Sequence, residues 1–94
     1  MNSKAYKSYE ISKNEYRELK YFCLRYREMR RHEDKQTIDC ALEQAAENEI
    51  IRAYLRRSVT ENVRFDCLDV PMGKNQFYEL RRKFFYILHE LKNR

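Results

Sequence analysis

The stretch VPMGKNQFYELRRKFFYILHELKNR, residues 70–94, holds both the proline and the glycine of the chain, Pro71 and Gly73, and it decides how the rest is read. Pro71 bars the residue before it from the helical region, and Gly73 permits a sharp change of direction. A helix is therefore expected to open at about Lys74. On it Phe77, Leu80, Phe84, Ile87 or Leu88, and Leu91 recur at three- and four-residue spacing and form an apolar stripe. Lys74, Asn75, Gln76, Tyr78, Glu79, Arg82 and Lys83 fall on other faces, and Arg81 lies closer to the stripe, where its stem can cover the core.

Working back from that turn, VRFDCLDV (residues 63–70) has room for about two turns of helix, with Phe65, Leu68 and Cys67 as its inward candidates. Asn62 tolerates a left-handed conformation and marks the end of the helix before it. That helix is expected to run from about residue 34 through Ile38, Leu42, Ala45 or Ala46, Glu49 or Ile50, Ala53 and Tyr54, on a background of strong helix formers. The stretch RRHEDKQT (residues 30–37) lacks an apolar anchor and is the expected break, with continuous helix as the alternative. Upstream, Ser12 and Glu15 stand at capping-box spacing. A first helix is expected from there to about His32, with Tyr16, Leu19, Phe22 or Cys23, Tyr26 and Met29 on its apolar side. Residues 1–11 read as a basic arm.

The expected fold is all-α: one domain over residues 12–94 with about four helices, residues 12–57 forming a helical hairpin or a long bent helix, and a helix-turn-helix at about 64–93. Ninety-four residues limit the chain to one small core. Hydrophobic residues are 43% of it, enough apolar material to fold despite 37% charged residues. Net charge is +5, and its sign is uneven. Residues 1–32 carry nine Lys/Arg against four Asp/Glu, residues 33–69 five against nine, and residues 70–94 six against two. Basic ends favour an anionic partner, although a solvated basic surface gives the same totals.

Three cysteines without C-x-x-C pairing, no signal-peptide pattern and no long apolar run point to a reduced, cytoplasmic protein that is not membrane-bound. Cys23, Cys40 and Cys67 are read as small core residues. His32 and His89 stand apart from any cysteine at zinc-ligand spacing, so no metal and no cofactor are expected. With one glycine there is no phosphate-cradling loop, and no nucleophile accompanies the histidines at motif spacing. An enzyme is not expected.

The short-element, turn, long-helix order with amide and basic groups at the start of the long helix suits DNA recognition. Asn75 or Gln76 offers a paired donor and acceptor to adenine, and Lys74 or Arg82 reaches guanine or phosphate. Glu79 completes that candidate reading face, and Arg56, Arg57 and Arg64 are candidates for holding the backbone. A homodimer follows if two half-sites are read. Tyr6, Tyr9, Tyr16, Tyr21, Phe22 and Tyr26, interleaved with basic residues, would also suit base stacking, the plainer alternative being a core or a dimer seam.

Residues 54–88 resemble the C-terminal part of a small protein family common in prophages and mobile elements of Firmicutes. Its members end in a Pro-x-Gly-basic-x-x-Phe-Tyr-x-x-Arg-Arg-x-Phe-Phe pattern. The likeness runs through Pro71, Gly73, Lys74, Phe77, Tyr78, Arg81, Arg82, Phe84 and Phe85. ELKYFCLRYREM, residues 18–29, resembles that family's first helix. More distantly the tail is similar to the sigma region 4-like ending of phage late-operon activators of the ArpU and RinA type. That likeness implies sequence-specific binding of double-stranded DNA and transcription control. Relatives often have a longer middle, glycine at the position of Asn62, and Cys-Gly-Arg where this chain has Met72-Gly73-Lys74. Lysine for arginine replaces a bidentate fork with a point charge. A different class of reading is a small phage protein that binds a host protein, such as RNA polymerase or a defence nuclease, through the acidic run from Glu33 to Glu49.

Overall fold

Ser12 closes the capping box that its spacing predicts. The Glu15 amide donates to Ser12 Oγ at 3.1 Å, and the Ser12 amide donates to Glu15 Oε1 at 3.1 Å. In the computed structural model, which describes residues 11–93, this box opens α1, Lys13–Leu24. The expected basic arm lies, but for Ile11, outside the described residues. There follow a 3-10 turn Tyr26–Glu28, α2 His32–Ala45, α3 Glu49–Glu61, a second 3-10 turn Phe65–Cys67 and α4 Lys74–Lys92. The described residues are all-helical, with four α-helices and no strand.

Residues 12–57 make neither a hairpin nor one bent helix but three separate helices, and each break has a physical cause. α1 stops at Leu24, well short of His32, although no glycine or proline is near. Tyr26 is held out of helical register because its hydroxyl donates to Asp39 Oδ1 on α2, at 2.9 Å. The Lys35 ammonium lies 5.5 Å from the same ring. Met29 is extended, and RRHEDKQT is largely the start of α2, with Glu33 and Asp34 in its first turn, where the helix dipole favours them.

The second break falls at Ala46–Glu47–Asn48, inside the stretch expected to be continuous. Ala46 is extended, and Asn48 caps α3 by accepting from the amides of Ile50 (2.8 Å) and Ile51 (3.1 Å). Arg52 donates from Nε to the Ala46 carbonyl (2.9 Å) and from Nη2 to the Glu47 carbonyl (3.0 Å). These bonds satisfy carbonyls that an ended helix leaves without partners. α3 ends where expected, with Asn62 left-handed at φ 55.

The chain before Pro71 differs from expectation. In place of two turns of helix there is one 3-10 turn, because Asp69 also turns left-handed at φ 55 and Pro71 keeps Val70 out of the helical region. Leu68 is buried and Phe65 half-buried, while Cys67 is exposed. The Phe65 ring reaches the Phe77 ring at 5.5 Å and thereby ties the segment to α4. Gly73 is not the left-handed residue of the turn: its φ is −67, and it serves as the N-cap of α4. A Cβ there would meet Gln76 Oε1 at an ordinary 3.7 Å. Gly73→Ser is therefore expected to stabilise the fold by about 0.5 kcal/mol, through a better cap and a stiffer unfolded chain. Asp69→Val should cost about 1–2 kcal/mol, because a branched residue is poorly tolerated at positive φ. Urea midpoints of the two variants should move in opposite directions.

The core lies between α2 and α4, the most extensive helix pairing, with α1 packed on both α3 and α4. α2 buries Ile38, Ala41, Leu42 and Ala45, and α4 buries Phe77, Phe84, Phe85 and Leu88. Small residues on one helix thus accompany large aromatics on the other. From α1 come Leu19, Phe22 and Cys23, and from α3 Leu55 and Val59. Lys92 Nζ sits 3.8 Å from the Phe22 ring centroid and covers that edge of the core. Among the described residues no helix is long and apolar enough to cross a membrane.

Candidate nucleic-acid interface

Phe77, fully buried, fixes the rotation of α4 and leaves Lys74, Asn75 and Gln76 exposed in its first turn. No acidic residue lies in that turn, so the positive end of the helix dipole is not offset there. The three side chains are not equally available. Gln76 Oε1 accepts from the Gly73 amide at 3.3 Å, which spends the acceptor half of the amide on the cap. Lys74 and Asn75 have no hydrogen bond or ion pair among the described residues.

One turn on, Arg82 Nη1 donates to Glu79 Oε1 and Oε2 at 3.0 and 3.1 Å. The two residues expected to reach base edges or phosphates therefore hold each other. Arg56 Nη2 donates to Asp39 Oδ1 at 3.3 Å, on the carboxylate oxygen that also accepts from Tyr26. Its charge is thus partly neutralised where a phosphate contact was expected. Arg57, on α3, and Arg64, which precedes the second 3-10 turn, are exposed. Of the eight expected contacts, the fold joins Glu79 to Arg82, turns Arg56 toward Asp39 and Gln76 toward Gly73, and leaves Lys74, Asn75, Arg57 and Arg64 facing solvent.

The interleaved aromatics divide. Tyr6 and Tyr9 lie outside the described residues, Phe22 is core and Tyr26 half-buried, as a structural role requires, but Tyr16 and Tyr21 are 38% and 63% exposed, and on α4 Tyr78 is 37% exposed. Tyr78 and Arg81 were not among the expected contacts.

The cysteines also divide. Cys23 is fully buried, and burial pushes its thiol up to about 12, against a smaller opposing effect of Arg81 and Lys92. Cys40 is half-buried and Cys67 exposed, so the expectation of three core thiols holds for Cys23 alone. A thiol-reactive disulfide reagent at neutral pH should label Cys67 promptly and Cys23 only on unfolding. Native-state labelling of Cys23 at the rate of Cys67 would contradict the packing of α1. Glu15 is held below the usual carboxylate range by the Ser12 amide and hydroxyl, with a lesser contribution from His89, whose Nε2 lies 3.6 Å away.

No protein-family model, curated protein or solved structure matches the sequence.

Proposed function

We propose that the protein is a prophage-encoded transcriptional regulator that binds double-stranded DNA in the cytoplasm of its bacterial host, as a homodimer, with the start of α4 meeting the duplex. In this reading α4 is the reader of a helix-turn-helix in which the short 3-10 turn Phe65–Cys67 stands in the place of a first helix. The observation that carries it is the exposure of Lys74 and Asn75, unpaired among the described residues, in a first turn without a carboxylate. The resemblance to phage late-operon activators supports the same class.

Readout is then narrow. Asn75 offers the paired donor and acceptor that adenine requires, Gln76 keeps only its amide NH2 group, and Lys74, Arg57 and Arg64 supply charge to phosphates. On duplex fragments from its own upstream region, Asn75→Ala should cost about 1–3 kcal/mol on the preferred sequence and little on others. Lys74→Ala should weaken binding to every sequence and reduce the salt slope by about 0.9. Equal losses on all sequences from both changes would remove base readout, and no duplex binding at low salt would remove the proposal.

A second reading, binding to a host protein such as RNA polymerase or a defence nuclease, is favoured by a depression of about 520 Å³ on α2 lined by Glu33, Asp39 and Glu43. Asp39 there is already bonded to Tyr26 and Arg56, and Glu33 lies 3.6 Å from Arg31, which leaves Glu43 as the acid without an ion pair among the described residues. Recovery of one host protein on the wild type and its loss on Glu43→Lys would favour this reading.

A further inference from the structure

Lys13, Arg17 and Lys20 follow one another at helical spacing on the solvent side of α1, with Tyr16 and Tyr21 among them. None of the three cations has an ion pair among the described residues. The acids of α1 lie off this row. Glu15 is turned to Ser12 and His89, and Glu18 stands about 100° round the helix from Arg17.

Two open depressions run along this row. One, about 460 Å³, lies between α1 and α4, where Tyr16, Tyr78, Arg81 and Phe85 converge. The other, about 470 Å³, continues along α1 past Arg17, Lys20 and Tyr21 to Asn62. Lys13 and Tyr16 line both, so the two form one surface, and no carboxylate lines either. At the α4 rim Glu79 holds Arg82.

The aromatic faces are what separate this surface from an ordinary basic patch. The exposed large apolar side chains of the described residues are Tyr16, Tyr21, Tyr78 and Ile50, and all three tyrosines stand here. Tyr16 sets its edge against Phe85 at 5.0 Å, and the Arg81 guanidinium lies 5.5 Å from the same ring, which holds both side chains in place. Tyr21 makes no ring contact among the described residues. Duplex phosphates need cations but no aromatic faces, whereas unstacked bases need both.

We infer that this surface binds single-stranded DNA, with bases stacking on Tyr16, Tyr21 and Tyr78 and phosphates held by Lys13, Arg17, Lys20 and Arg81. The assignment to DNA over RNA rests on the proposed function, since the tyrosine hydroxyls, cations and Asn62 of the surface could also meet a ribose 2′-hydroxyl. The surface is separate from the proposed duplex reader, since Lys74, Asn75, Gln76, Arg57 and Arg64 do not line it, and the two can fail independently.

Fluorescence anisotropy of labelled oligo(dT) of about ten nucleotides, beside a blunt duplex and oligo(U) of the same length, tests the inference. Oligo(dT) should bind at low salt at least as tightly as oligo(U). Tyr21→Ala, a change at an exposed side chain, should weaken it about tenfold, and Tyr21→Phe should retain it. Arg17→Ala should flatten the salt slope by about 0.7. Neither Tyr21 variant should alter duplex binding, and Asn75→Ala should not alter oligo(dT) binding. No oligo(dT) binding at low salt, or a Tyr21→Ala loss below twofold alongside a full Arg17→Ala effect, would overturn base stacking. Tighter binding of oligo(U) would overturn the assignment to DNA.

Discussion

Phe84→Ala is expected to lower folding stability by about 3–5 kcal/mol, the usual cost of removing a fully buried phenylalanine from a packed core. At the ordinary scale of about 0.05–0.15 kcal/mol per residue, that is a large share of the stability of a domain this small. Phe84 is 0% exposed, between Phe77 and Leu88 on the buried stripe of α4. Its ring packs edge-on against Phe85, with centroids 5.0 Å apart. The buried stripe of α2 includes Ala41 and Ala45, which have no side-chain length to swing into a void. Where the surrounding side chains relax only in part, the cavity cost adds to the lost transfer free energy. Urea unfolding measures the loss directly, with Phe84→Leu retaining most of the stability. A Phe84→Ala loss below about 1 kcal/mol would mean that the contact between α2 and α4 is not where stability is concentrated.

Local signals in the sequence place a helix boundary where the residue that ends or starts the helix acts on its own neighbours. Ser12 with Glu15, Asn62, and the Lys74 start of α4 are all of this kind. The misjudged boundaries depend on partners outside the window. α1 ends early because Tyr26 bonds to Asp39, thirteen residues on, and nothing in YFCLRYREM announces that. The break after Ala45 replaces a good helix former with extended backbone, and it is held by Asn48 and the reach of Arg52. Asn48 is a capping residue type and was the available clue. Asp69, not Gly73, makes the left-handed turn. A glycine only permits positive φ, and here the capping geometry needs none.

The candidate site shows the same division. That the first turn of α4 carries basic and amide groups, and that α1 carries tyrosines among cations, was visible in the sequence. Which of these side chains are committed was not. Gln76 is bound to its own cap, Glu79 and Arg82 to each other, and Arg56 to Asp39, since each partnership depends on rotamers and helix packing rather than on spacing alone. The uncommitted cations and tyrosines instead gather along α1 and one flank of α4, where residue counts alone would not have placed them.

Stability is also expected to fall steeply as the pH rises above 9, because of Cys23. Its thiol has an ordinary value of 9.0 and is pushed up to about 12 in the fold, chiefly by burial. The folded state therefore keeps the proton over a range in which the unfolded chain gives it up. The contribution is fully present below 9 and is lost progressively as the pH climbs toward 12. At about 1.4 kcal/mol per unit, this one group can remove about 4 kcal/mol across that window. Tyr26 acts in the same direction at higher pH, since burial and its bond to Asp39 raise its hydroxyl above the ordinary 10.0. Urea midpoints taken in steps from pH 9 upward should decline in the wild type. Cys23→Ala should start lower, because of the small cavity, but decline much less, whereas Cys67→Ala should follow the wild type. An unchanged slope in Cys23→Ala would assign the alkaline loss to other groups and remove the buried thiol from the account.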